Sequence, residues 1–136
     1  MPFLRCYYHI VWATKGREPL ITHAVENILF EAVKQKAEAL GTAVLAINAI
    51  SDHIHVAVSM PPTLNIADWM KHVKGASSHD INESQPEALA RFRWQGGYGV
   101  VTVGPQGLNL VQDYIMHQKE HHAEGTLFKS LEYTGE

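Results

Sequence analysis

Residues 42–60 read TAVLAINAISDHIHVAVSM. Two apolar runs flank a short polar turn at Ser51 and Asp52, the pattern of a β-hairpin. Upstream, residues 5–14 (RCYYHIVWAT) are aromatic and β-branched and read as another strand, broken by GREP. Between them lies HAVENILFEAVKQKAEALG, where Val25, Ile28, Leu29, Ala32 and Val33 recur at helical spacing. Thr22 is placed to cap that helix and Gly41 to end it. Downstream, PPTLN closes the hairpin and opens a second helix from about Ile66 to Asn82. Residues 83–96 read as a loop with room for a helical turn at PEALARF. GYGVVTV is a fourth strand, GPQG a turn, and residues 108–123 a last amphipathic helix.

The order β-α-β-β-α-β followed by a helix predicts the α+β class. It is the ferredoxin-like arrangement, one antiparallel sheet with two helices packed on one face. The added C-terminal helix, or a second subunit, is expected to cover the other face. Such a fold hosts many unrelated activities, so function must be sought in particular side chains.

Composition narrows the field. The chain has 136 residues, 46% hydrophobic and 18% charged, as expected for one ordinary globular domain. Its apolar runs are too short to cross a bilayer, so no membrane partner is expected. The amino terminus reads as a strand and lacks a signal-peptide cleavage pattern. With the lone Cys6 no internal disulfide can form, and a cytoplasmic location is the simplest expectation. A net charge of −3 gives no overall basic footprint for nucleic acid, but the field that matters is local. Lys15 with Arg17, Lys71 with Lys74, and Arg91 with Arg93 are local basic clusters, each also readable as a solvated face. Nine histidines are an unusual share.

Two constellations carry chemistry. His53 and His55 stand two apart on a strand, so both imidazoles point to one sheet face and can share a metal ion. The pair is equally compatible with two half-exposed histidines. Asp52 beside them is a candidate ligand or supporting carboxylate, or a turn residue bonding nearby amides. On the last helix, Leu108, Val111 and Ile115 form a packing stripe, and Tyr114, Gln118 and His121 a ridge beside it. That ridge joins a phenol nucleophile to a neutral oxygen ligand one turn away, though a boundary tyrosine with polar neighbours would look the same. Cys6 has no evident base and reads as core. Cysteines for a structural zinc site are lacking, and GGYG has neither the Walker lysine nor the Rossmann spacing.

Together these features resemble the single-tyrosine HUH transposases of the IS two-hundred group and their REP-associated relatives. HIH lies on a strand, and a tyrosine and a glutamine lie four apart on a late helix. YYHIVWATKGREPLI, SDHIHVAVSMPP, WMKHVKGASS and WQGGYGVVTVG are similar, in order, to other segments of the family. Ser51, where the family often has Met-Pro before the histidines, and Gly99, where an aromatic residue is common, depart from the pattern without touching the proposed ligands.

The resemblance implies one catalytic domain over residues 1–136. In it Tyr114 would be the nucleophile and His53, His55 and Gln118 the metal ligands, with Asp52 and His121 as accessory candidates. Magnesium or manganese is the implied metal, while ligand softness by itself favours manganese or zinc. The implied activity is cleavage and rejoining of single-stranded DNA at hairpin-bearing element ends through a 5′-phosphotyrosine. Lys15, Arg17, Lys71, Lys74, Ser77 and Ser78 are the candidate DNA contacts. The implied assembly is a homodimer in which the tyrosine helix of one subunit completes the site of the other. Competing expectations are a domesticated or inactive relative that binds hairpin DNA without strand transfer, and a metal-binding ferredoxin-like regulatory domain.

Overall fold

The structure is a computed structural model that describes residues 6–88, 90–120 and 129–135. Strands β1 (Tyr7–Ala13), β2 (Ala43–Ile50), β3 (His53–Ser59) and β4 (Gly99–Val103) form one sheet in the order β2-β3-β1-β4. All its pairings are antiparallel, with Val11 opposite His55 and Ala13 opposite His53. Helices α1 (His23–Ala39) and α2 (Ile66–Ser84) provide the crossovers, giving the predicted ferredoxin-like plan.

Local chemistry sets the element boundaries. The Thr22 hydroxyl accepts from the Val25 amide at the start of α1, and the Asn65 side chain accepts from Ala67 and Asp68 at the start of α2. Val25, Leu29 and Val33 from α1, with Trp69, Met70, Val73 and Ile81 from α2, pack on one sheet face. There they meet Ile10, Trp12, Ile54, Val56 and Val58. Each such side chain contributes roughly 1.5–3 kcal/mol on complete burial.

The opposite face takes α3 (Leu108–Met116), whose Val111 and Ile115 close over Ala46, Ala57 and Val103. The expected packing stripe is therefore the one used, with Leu108 at its edge. Polar bonds fix the helix along the sheet. The register of β2 shifts between Val44 and Ala46, and the Leu45 carbonyl within that shift accepts from Gln112 Nε2 at 3.3 Å. Asn48 Nδ2 donates to the Met116 carbonyl at 3.2 Å.

Two expectations change in detail. The last helix is not continuous from 108 to 123: it breaks at His117, whose backbone leaves helical geometry, and helical structure resumes at Gln118. No helical turn forms at residues 86–92 among the described residues. Instead Asn82 ties that loop down with a pair of bonds to the Phe92 backbone, at 2.8 and 3.0 Å. A short helix α4 (Lys129–Glu132) follows near the C-terminus.

Candidate active site

Strand alternation divides β3 into two sets. Ile54, Val56 and Val58 enter the α1/α2 core, and His53 and His55 face α3, both essentially without solvent exposure. Helix α3 brings Tyr114 to the same place: its ring centroid lies 6.1 Å from that of His55, and the residue is 2% exposed. Gln118, one turn on and past the break, is also fully buried.

At the centre of this set stands Glu132 of α4. Its Oε1 lies 3.1 Å from Nε2 of His53 and 3.1 Å from Nε2 of His55. Its Oε2 accepts a hydrogen bond from the Tyr114 hydroxyl and another from Gln118 Nε2 at 3.2 Å. Burial would raise the Glu132 carboxyl, but hydrogen bonds from His53 and His55, the charge of His55 and the bond from Tyr114 pull it well below the ordinary carboxylate range.

Each histidine is held from behind. Asp52 Oδ1 lies 2.7 Å from His53 Nδ1, so an Nδ1–H donating to the carboxylate directs Nε2 toward Glu132 at the centre. His55 Nδ1 lies 2.9 Å from Nε2 of His9, a buried β1 residue whose ring stacks on His55 at 5.0 Å. Burial, reinforced by the neighbouring His55, lowers the His9 pKa from 6.5 to about 3, so His9 stays neutral and can accept from His55.

The donor set fits a divalent cation. One ring nitrogen each of His53 and His55 and a carboxylate oxygen of Glu132 all lie within 4.8 Å of one another. Donors about 2.1 Å from one cation and at right angles to each other stand roughly 3 Å apart, as each imidazole does from the carboxylate. Gln118 supplies the second sign, because its Oε1 is buried with no hydrogen-bond partner among the described residues. A buried amide oxygen in that condition is costly unless something electropositive meets it.

Sequence reasoning placed His53, His55, Tyr114, Gln118 and Asp52 together, and the fold does bring them together. His121 lies outside the described residues. Two site residues were missed. His9 lay in a predicted strand, but its meeting with His55 depends on the β1–β3 register. Glu132 carried no sequence signal, since it lies beyond the last helix in an unremarkable short segment.

The basic candidates separate. Arg17 Nε lies 3.4 Å from Asp52 Oδ2, at the edge of the site. Lys15 lies in an open groove with Ser78, Arg91, Arg93 and Gln95. The Lys15 amide bonds the Arg93 carbonyl at 3.0 Å, which draws the two basic segments together. Lys74 also borders the groove, but its ammonium bonds the carbonyls of Gln95 and Gly97, and burial lowers its pKa. Ser77 is not on the surface at all. It is fully buried, donating to the Val73 carbonyl and accepting from Trp94 Nε1, so its place among the DNA contacts is corrected to a core role. Lys71 is exposed on α2.

The family described as "Transposase IS200 like" matches residues 3–118, and that stretch contains every site residue named so far except His121 and Glu132. The chain belongs to this transposase family. A transposase for insertion sequence element IS200 from Salmonella typhimurium is 31% identical over 134 residues, covering 96% of this chain and 87% of the relative. The ISDra2 transposase TnpA of Deinococcus radiodurans is 28% identical over 119 residues, covering 83% and 85%. A crystal structure of a Deinococcus radiodurans protein described as a transposase superposes with a TM-score of 0.70 at 26% identity, covering 86% of this chain and 93% of that one. A REP-associated tyrosine transposase bound to a REP hairpin shares the fold, with a TM-score of 0.65 at 13% identity, covering 90% and 72%. As a transposase of this family, the protein belongs among DNA-cleaving enzymes. Among its described residues no helix is long and apolar enough to cross a membrane.

Proposed function

We propose that this transposase cleaves and rejoins single-stranded DNA with Tyr114 as the nucleophile and a divalent cation held by His53, His55 and Gln118. The observation that carries the reading is convergence: the Tyr114 hydroxyl and both imidazoles meet on one carboxylate in a buried site. A bound cation, magnesium or manganese, would supply Lewis-acid polarisation of the scissile phosphate.

The chain's own groups then have separate tasks. Asp52 and His9 hold the two imidazoles in the tautomers that present Nε2. Packing on α3 fixes the Tyr114 phenol, whose ordinary pKa near 10 makes it a poor nucleophile unless its proton is taken or the phosphate is activated. Attack of the phenol oxygen on phosphorus forms the Tyr–O–P bond and breaks the bond to the 3′ oxygen. The phenol proton is lost, and the 3′ oxygen leaves as a hydroxyl. One phosphoester replaces another, so a second 3′-hydroxyl can reverse the step and seal a new junction.

The DNA path in this proposal runs from Arg17 at the site edge to the groove of Lys15, Ser78, Arg91 and Arg93. Its support is charge placement, since the outer α1/α2 groove is lined instead by Glu31, Asp80 and Glu83. Lys71 remains a flanking contact in the same proposal. A homodimer also belongs to it, supported by Leu110 and Met116, which stand exposed on α3 at 64% and 57%. Exchange of α3 between subunits would bring the same tyrosine to a partner's histidines.

The test is incubation with a single-stranded hairpin oligonucleotide and manganese, followed by a denaturing gel. A covalent protein–DNA band that disappears in Tyr114→Phe is the expected result. Binding without any such band would overturn strand cutting and leave a DNA-binding module. Mixing Tyr114→Phe with His53→Ala protein separates the assemblies: recovery of the band requires exchange between subunits, and no recovery means that each chain acts alone.

A further inference from the structure

The Glu132 carboxylate is more than one of several donors, because its two oxygens face different partners. Oε1 addresses both imidazoles, where a cation would be held, and Oε2 takes the hydroxyl of Tyr114. A scissile phosphodiester has to make the same bridge, with one non-bridging oxygen toward the cation and the phosphorus beside the phenol. Carboxylate and phosphodiester are both anionic and both present paired oxygens, so they cannot occupy this space together.

The segment that delivers Glu132 is fitted into the fold by close backbone approach. A side chain at Gly99 would run into the Tyr133 carbonyl oxygen, and one at Gly135 into the Tyr98 carbonyl oxygen. Gly135 also has φ of 78°, a conformation side-chain-bearing residues rarely adopt. Between these contacts Thr134 is buried, and its hydroxyl accepts from Arg17 at 3.4 Å. The GGYG motif, unexplained by any phosphate-loop chemistry, thus forms one wall of a slot for the chain's own C-terminal segment. Arg17 is tied to the same segment and to Asp52, at the start of the proposed DNA path.

We infer that residues 129–135 act as an internal strap that occupies the phosphodiester position with Glu132 and must withdraw before DNA enters. This rests on the reading of the site as a DNA-cutting centre. In the strapped state Glu132 contributes to holding the cation, and the incoming phosphate takes over both of its contacts. DNA affinity is therefore reduced by the fraction of molecules in which the strap is seated.

The experiment measures binding of a single-stranded hairpin oligonucleotide, by fluorescence anisotropy in manganese, to the whole chain and three variants. Glu132→Gln removes the carboxylate charge. Gly135→Val unseats the strap with no change of charge. A chain ending at residue 128 removes the strap. All three should bind at least tenfold more tightly than the unaltered chain, and in the unaltered chain the oligonucleotide should increase hydrogen exchange at residues 129–135. Unchanged or weaker binding in Gly135→Val and in the shortened chain overturns the strap, because tighter binding by Glu132→Gln alone is then only a charge effect. Covalent adduct is scored in the same samples. Its absence from every variant counts against strand cutting, while the affinity comparison still decides whether Glu132 competes with DNA.

Discussion

The two faces of strand β3 are equally buried and have opposite consequences. Ile54, Val56 and Val58 on one face and His53 and His55 on the other are all at most 1% exposed. Apolar side chains from α1 and α2 meet the first set, so the packing stabilises without direction. The second set meets His9 of β1, Asp52 of the turn and Glu132 of α4, each bond with a required partner and distance, beside the Tyr114 ring of α3. Burial alone therefore does not separate core from site. The partner does: removing a methyl group leaves a cavity, and removing a polar partner leaves an unpaired group whose chemistry fails before the fold does.

That contrast can be broken from either side. The largest effect is expected from Tyr114→Phe, which should lower covalent adduct formation by on the order of 10⁴-fold or more on denaturing gels. Its melting should move little, because the change removes a hydroxyl and leaves the packed ring in place. Ile54→Ala should do the reverse, destabilising the protein by about 2–5 kcal/mol in denaturant titrations. Its adduct yield below the unfolding transition should stay near that of the unaltered chain. Asp52→Asn probes the support behind His53 and should weaken manganese binding by about 10–100-fold in calorimetry. The smallest effect belongs to the groove. Arg91→Ala or Arg93→Ala should weaken DNA binding uniformly across sequences and reduce the salt slope by about 0.7 for each phosphate no longer neutralised. Glu31→Ala, on the acidic outer groove, should leave that slope unchanged.

The features legible in the sequence share a physical basis in local repetition. Alternation along β3 told which residues share a face with His53 and His55, and the three- and four-residue spacing on α3 told that Tyr114 and Gln118 share a ridge. Both periods survive whatever the chain packs against, and the ridge survives even the break at His117. Ser77 shows the limit of the same reasoning. Hydroxyl and lysine neighbours made it look like a phosphate ligand, yet its position on α2 turns it inward to Val73 and Trp94. The Lys74 ammonium is likewise engaged by loop carbonyls, bonds that depend on where residues 95–97 fold back.

The chain's own letters determined the element order, the ferredoxin-like class, the paired imidazoles and the phenol–amide ridge, because each follows from neighbours a few residues apart. Only the tertiary structure decided that His9 stands behind His55 and that Glu132 reaches the centre, across sequence separations of 46 and 77 residues. Such meetings depend on strand register and on the course of a terminal segment past β4. Those are set by the packing of the whole molecule, which no local pattern encodes.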